Sequence, residues 1–251
     1  MSEPNWREKV IFAYIDEPPF AQTNPDGSVS GCDVIVARHI LQQIDVQDIE
    51  LRRVTFPDLM PGVANHDWTI NTPIFITPER AKTVMYSHPV WALADGFIVR
   101  NDSAATLNSY HAVAQDNTAR IAIIRNQVQH QSALDAGIPP ERITIFETQH
   151  DVIAALLAGE VDAYPATAMG HRTFLKKEAH PELTVVDLVD ADGKSLEPAF
   201  AGYSFAKDSN DLVVAFNQAL GAYIGTPEHH DLMLAHGFSQ TELERVIEQY
   251  S

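Results

Sequence analysis

The period of the apolar positions changes repeatedly along the chain. Lys9–Ile15 (KVIFAYI) is a nearly continuous apolar run of strand length. The polar stretch Asp16–Ser30 carries Pro18-Pro19 and Asn24-Pro25-Asp26-Gly27 and reads as a loop. From Asp33 the apolar residues Ala37, Ile40, Leu41 and Ile44 recur at i, i+3, i+4 and i+7, which predicts an amphipathic helix. Ile49–Thr55 predicts a strand, Pro57–Ala64 a short helix and Trp68–Thr72 another strand. Thr77-Pro78-Glu79 has the N-cap, N1 proline and first-turn acid of a further short helix. The same grammar recurs after residue 119. Arg120–Arg125 and Ile143–Glu147 read as strands around a helix at Gln127–Ala136. A helix at Val152–Ala158 follows a Thr148/Asp151 cap and stops at Gly159. Val161–Tyr164 and Leu183–Leu188 are further strands. Helices are predicted over Asp211–Tyr223 and from the starts at Thr226-Pro227-Glu228 and Ser239. Two β-α-β-α-β series joined near residues 95–102 predict an α/β protein of two similar-sized lobes.

Composition supports a packed core, with 45% hydrophobic and 20% charged residues in 251. The chain has 17 Lys+Arg against 34 Asp+Glu, a formal charge of −17 with His neutral. A field of that sign disfavours nucleic acid and anionic lipid as partners. Cys32 is the single cysteine, so neither an intrachain disulfide nor a thiolate metal cluster is available. No apolar run approaches the roughly 20 residues that span a bilayer. The first residues show no basic and apolar leader, which leaves two expectations: a periplasmic protein whose signal peptide has been removed, or a cytoplasmic one.

Sites for metals, phosphates or nucleophilic catalysis are not apparent. The eleven histidines include His229-His230, whose adjacent rings cannot share one helix face, and there is no H-E-x-x-H. Nucleophile elbows and phosphate-cradling glycine loops are also missing. No cofactor and no metal are expected. The informative segment is NTPIFITPER, Asn71–Arg80. Arg80 falls at N3 of the helix that Thr77 would cap, where a guanidinium beside unpaired N–H groups can grip a carboxylate; a surface arginine paired with an acid is the plainer alternative. The loops Asp16–Phe20, Pro73–Thr77 and Asn126-Gln127 each follow a strand, which is where open α/β folds bind ligands.

At this point a resemblance enters. PPF, DGSVSGCDVIVARHI, ITPERAKTVMYSHPV, DGFIVR and ALLAGEVDA occur in the order and spacing of the polar-amino-acid-binding proteins of bacterial ABC transporters, solute-binding protein family 3. The resemblance covers nearly the whole chain and rests most on ITPER with the following S-x-P. It implies a two-lobed periplasmic-binding-protein-like fold of type II, each lobe a mixed sheet flanked by helices. Hinge strands would lie near Gly96–Asp102 and Gly202–Ala206, giving lobe 1 as residues 1–98 plus 204–251 and lobe 2 as 99–203. It implies a monomer that captures a small zwitterion in an interlobe cleft and delivers it to an ABC permease. A cytoplasmic or sensory binder of the same fold is the alternative, and a dehydratase-type enzyme on this scaffold a more distant one.

Carried over residue by residue, the family's carboxylate-binding arginine falls on Arg80 and its small positions on Thr72, Pro73 and Phe75. The second-lobe Gly-Thr-Thr loop falls on Asn126, Gln127 and Val128. The aspartate that holds an α-ammonium group falls on Thr167, so an ordinary amino acid would lose its usual partner. Glu17, Phe20, Phe56, Phe75 and Arg80 together look like the site of ectoine-binding members, where aromatics enclose a delocalised cation, a glutamate balances it and the arginine holds the carboxylate. Independently of the resemblance, aromatic faces attract soft cations. Core packing is the competing expectation for Phe20 and Phe56. Cys32 is expected to be a buried, inert thiol, Trp91 to pack near a hinge, and His171-Arg172 to lie on a solvated helix face.

Overall fold

The computed structural model describes residues 5–250. These pack as two units: the residues up to Ala92 with those from Ala199 onward, and the intervening Leu93–Pro198.

The first unit begins with β1 (Lys9–Tyr14), a small hairpin of β2 (Gln22–Thr23) and β3 (Val29–Ser30), and helix α1 (Cys32–Gln43). Then come β4 (Asp48–Arg53), α2 (Phe56–Ala64), β5 (Ile70–Phe75), β6 (Val84–Tyr86) and β7 (Trp91–Leu93), whose last residue already belongs to the second unit. The second unit comprises β8 (Asp95–Arg100), α3 (Tyr110–Gln115), β9 (Ile121–Ile124), α4 (Gln129–Asp135), β10 (Ile143–Phe146), α5 (Gln149–Ala158), β11 (Ala163–Thr167), α6 (Ala168–Lys177) and β12 (Leu183–Asp187). The chain returns to the first unit through β13 (Ala199–Ala206), α7 (Asn210–Tyr223), α8 (Pro227–Ala235) and α9 (Gln240–Ile247).

Both sheets are mixed. The first runs β4-β1-β5-β13-β6, with β7 also on β13; β4, β1 and β5 are parallel, and β13 is antiparallel to β5 and β6. The second runs β10-β9-β11-β8-β12, with β8 antiparallel to both neighbours. The central strands are buried on both faces: every residue of β5 and of β9 is buried. Ala13, Ile74 and Val84 pack with Leu59 and Val63 of α2, and Phe97, Ile121 and Ile123 with Tyr110, Val113 and Ala133.

The crossovers fall at 92/93 and 198/199 rather than at the expected 98/99 and 203/204. Strand β8, near the first expected hinge, lies between β11 and β12, and β13, near the second, between β5 and β6. Strand β5 continues through Phe75, beyond the expected stop at Thr72. The helix expected from Thr77 is one 3-10 turn, Arg80–Lys82, although Thr77 Oγ1 does accept the Arg80 N–H at 3.2 Å. Arg80 therefore lies at a capped turn, without the macrodipole of a longer helix. The other caps form as expected: Thr148 accepts from Asp151, Gly159 is left-handed, Thr226 caps α8, and Ser239 with Glu242 makes a full capping box.

Candidate functional site

In the first unit the site is built around an irregularity in β5. Gly202 of β13 stands opposite Ile74 and Ser204 opposite Asn71, so Thr72 and Pro73 together face Tyr203. Pro73 has no N–H to give to a ladder, and a bulge is where an interior strand tolerates it. One extra residue reverses the alternation of faces. Asn71 donates to the Leu59 carbonyl at 2.9 Å, and Ile74, three residues on, also packs on Leu59 and Val63. Thr72 instead donates to Asp33 Oδ2 at 3.4 Å, and Phe75 meets Trp91.

Arg80 folds back over the end of this strand. Its Nη1 donates to the Phe75 carbonyl at 3.1 Å, and its guanidinium carbon lies 5.6 Å from the centre of the Phe56 ring. Phe56 opens α2 behind Thr55, which forms a capping box with Asp58. Burial draws the Arg80 pKa below its ordinary value, opposed by the adjacent Tyr86 hydroxyl. Tyr86 donates to the same Phe75 carbonyl at 3.3 Å, and its phenol is pushed up to about 12, chiefly by burial. The result is a cation held on an aromatic face and oriented by a carbonyl, which is the preparation needed to grip an incoming carboxylate.

Beside it, the loop Glu17–Phe20 is stitched to the start of α1. The N–H groups of Cys32 and Asp33 donate to the Pro19 and Phe20 carbonyls at 3.1 and 3.0 Å. Gly31 makes this close approach possible: its φ is 121°, and a Cβ there would stand 2.3 Å from the Phe20 carbonyl oxygen. Phe20 is buried against Trp91, with ring centroids 5.3 Å apart, and meets Phe238 edge-on at 6.4 Å. Phe75 reaches Trp91 edge-on at 5.5 Å. Burial raises the half-buried Glu17 carboxyl to about 7. Asp33, only 2% exposed, is raised well above the ordinary carboxylate range by burial, with the Glu17 charge adding to it. Asp33 is committed to the Trp91 indole and Thr72, whereas a cation placed beside Glu17 would relieve the desolvation of its carboxylate.

In the second unit the loop after β9 holds Asn126 in the left-handed region, φ 66°, which asparagine tolerates. The Gln127 N–H closes on the Ile124 carbonyl at 3.1 Å, but its side-chain oxygen Oε1 is buried without a hydrogen-bond partner. Thr167, buried at the end of β11, caps α6 by accepting the Gly170 N–H at 3.3 Å. Opposite it in the ladder, Asp95 accepts from Tyr110 and Gln129, both at 2.8 Å, and burial raises its carboxyl.

The structure thus brings Glu17, Phe20, Phe56, Thr72, Pro73, Phe75 and Arg80 into one unit, and Asn126, Gln127 and Thr167 into the other. Two neighbours escaped the sequence reading: Asp33 and Tyr86 lie inside the segments that carry the resemblance, but residue type alone does not distinguish a site neighbour from a core residue. Trp91, expected as hinge packing, bridges Phe20 and Phe75. One histidine expectation also needs correction. His171 is buried and bonds the Tyr164 carbonyl at 3.0 Å, and burial lowers its pKa to about 3, so only Arg172, paired with Asp187, lies on the solvated face. His229 is likewise buried and lowered to about 4, with Nδ1 accepting the Gly225 N–H at 3.3 Å. Cys32 is buried, as expected. Among the described residues, no group of three or more His, Cys, Asp or Glu is placed to hold a metal ion, and no helix is long and apolar enough to cross a membrane.

Residues 10–234 match the family of bacterial extracellular solute-binding proteins, family 3, and the chain belongs to it. Its curated relatives include a probable amino-acid ABC transporter periplasmic-binding protein, y4tE, of Sinorhizobium fredii, 32% identical over 95% of this chain and 80% of that protein. The L-arginine-binding protein of Pseudomonas aeruginosa is 25% identical over 82% of this chain and 78% of its own. Among solved structures, EhuB in complex with hydroxyectoine superposes with a TM-score of 0.86 at 24% identity, covering 98% of this chain and 95% of that one. That likeness is one of fold: two-lobed and periplasmic-binding-protein-like, as the sequence led one to expect.

Proposed function

We propose that this protein, acting in the periplasm, captures a compact zwitterion of ectoine, betaine or guanidino type and delivers it to an ABC permease, without chemical turnover. The observation that carries the reading is the grouping in one unit of Arg80 on the Phe56 face, the Phe20 and Phe75 rings, and the desolvated Glu17 carboxyl. Arg80 would take the ligand carboxylate, and the rings with Glu17 would take its cation. Thr72 and Pro73 would line the approach. Asn126, Gln127 and Thr167 are the second unit's contributors to the same proposal. Thr167 in place of a carboxylate weighs against plain α-amino acids. The complex of EhuB with hydroxyectoine is consistent with a ligand of this class.

A thermal-shift panel of hydroxyectoine, glycine betaine, L-arginine and L-glutamine tests the reading. A compound present at 100 times its Kd stabilises by about 2.7 kcal/mol, a rise of roughly 5–10 °C for a chain of this size. Hydroxyectoine or glycine betaine should give that rise and exceed both α-amino acids. Either amino acid leading the panel would overturn the reading.

A further inference from the structure

Trp91 touches two of the proposed ligand-binding aromatics and the buried acid at once. It is 5% exposed and stands two residues before the chain leaves the first unit. Its indole lies 5.3 Å from the Phe20 ring at an interplanar angle of 32° and 5.5 Å from the Phe75 ring at 81°, so one side chain fixes two rings that come from distant segments and face different ways. The indole is itself held. Its Nε1–H donates to Asp33 Oδ1 at 3.2 Å, while Asp33 Oδ2 accepts from Thr72 at 3.4 Å and the Asp33 carbonyl accepts from the Tyr203 hydroxyl at 2.6 Å. Asp33 thereby ties α1, β5, β13 and the Trp91 segment together.

We propose that Trp91, anchored on Asp33, is a specificity-determining positioning residue: it sets the relative placement of Phe20 and Phe75 and so decides which cations the aromatic face accepts, without itself gripping the ligand carboxylate. The proposal rests on the functional reading above but goes beyond it. Attraction of a soft cation to aromatic rings falls off when a ring turns its edge toward the charge. Phe20 and Phe75 meet through the indole, so the indole's tilt governs both. A phenylalanine at 91 would occupy part of the volume but could not donate to Asp33, and its ring would be free to roll. Arg80, fixed by the Phe75 carbonyl and the Phe56 ring, would keep its orientation.

Two measurements on the full chain test this. In the first, Trp91→Phe and Asp33→Asn are titrated calorimetrically with hydroxyectoine, L-arginine and L-glutamine. Trp91→Phe should lose at least tenfold in affinity for hydroxyectoine and no more than about threefold for L-glutamine. Asp33→Asn, whose amide oxygen can still accept the indole N–H, should keep the wild-type order. An equal loss for all three compounds would mark Trp91 as merely structural. In the second, the 13C-labelled phenylalanine side chains of the unliganded protein are followed by NMR, which needs no ligand to bind. Phe20 and Phe75 should show rotamer averaging in Trp91→Phe but not in Asp33→Asn, and wild-type rotamers in both variants would overturn the proposal. If none of the three compounds binds wild type, the functional reading fails and the NMR measurement still decides this one.

Discussion

At the scale of single residues, the charge carriers of the site have distinguishable signatures. Arg80→Ala removes the bidentate partner of a carboxylate while leaving the rings in place. It should abolish the thermal shift of every compound that binds wild type, with the unliganded melting temperature changing by only a few degrees. Glu17 predicts a pH dependence. Its carboxyl is raised from the usual range to about 7 by burial, so the folded protein prefers the protonated form. Stability of the unliganded protein from this group is fully present at pH 4 and is lost as pH rises through 7. Affinity for a cationic ligand runs the other way: below pH 7 binding must expel a proton, so Kd should weaken by up to tenfold per pH unit on the acid side and level off above pH 7. Glu17→Gln should flatten the profile, and calorimetric titrations between pH 5 and 8.5 would read it. Gln127 presents a third signature. A buried acceptor without a donor costs on the order of 1–3 kcal/mol. Gln127→Leu should therefore raise the melting temperature of the unliganded protein while weakening ligands that carry N–H donors more than it weakens glycine betaine.

At the scale of elements, the site depends on how strands and helices are joined more than on any one of them. The bulge at Thr72-Pro73 puts Asn71 and Ile74 against α2 and leaves Thr72 and Phe75 for the group around Asp33 and Trp91. Helix α2 is equally constrained, because a Cβ at Gly62 would stand 2.0 Å from the Trp68 ring, whose N–H bonds Asn71 at 2.5 Å. Gly62→Ala must displace Trp68 or tilt the helix that presents Phe56. Overpacking of this kind costs about 1–3 kcal/mol. Urea denaturation should show that loss, accompanied by weaker ligand binding because the Phe56 face under Arg80 moves with α2.

At the scale of the whole molecule, the proposed mechanism is a population shift. A ligand held by the first unit favours a closed form only through the additional contacts that the second unit makes with it. Small-angle scattering should then show a smaller radius of gyration on saturation with a compound that gives the full thermal shift. An unchanged radius would count against closure. The charge of −17 makes the protein strongly acidic. If the permease surface is basic, association should weaken steeply between low and physiological salt, since charges farther apart than a Debye length of about 8 Å are screened.

The sequence by itself determined the α/β class, the order of the main elements, most helix caps and, through ITPER and S-x-P, the family. These are local properties: apolar periodicity reports which face is buried, and capping residues act within one turn. It also marked the aromatic and charged residues that the first unit gathers, because the spacing of Glu17 to Phe20 and of Phe75 to Arg80 is a property of the chain. Only the tertiary structure decided where the units cross over, since pairing of β8 and β13 with distant strands assigns each to a sheet. It alone showed the bulge at Pro73, which exists only relative to β13, and the burial of His171 and His229. The role of Trp91 was invisible for the same reason. An indole reads the same in sequence whether it fills a core or positions two rings, and which of these it does is set by residues that lie 71 and 16 positions away along the chain, Phe20 and Phe75.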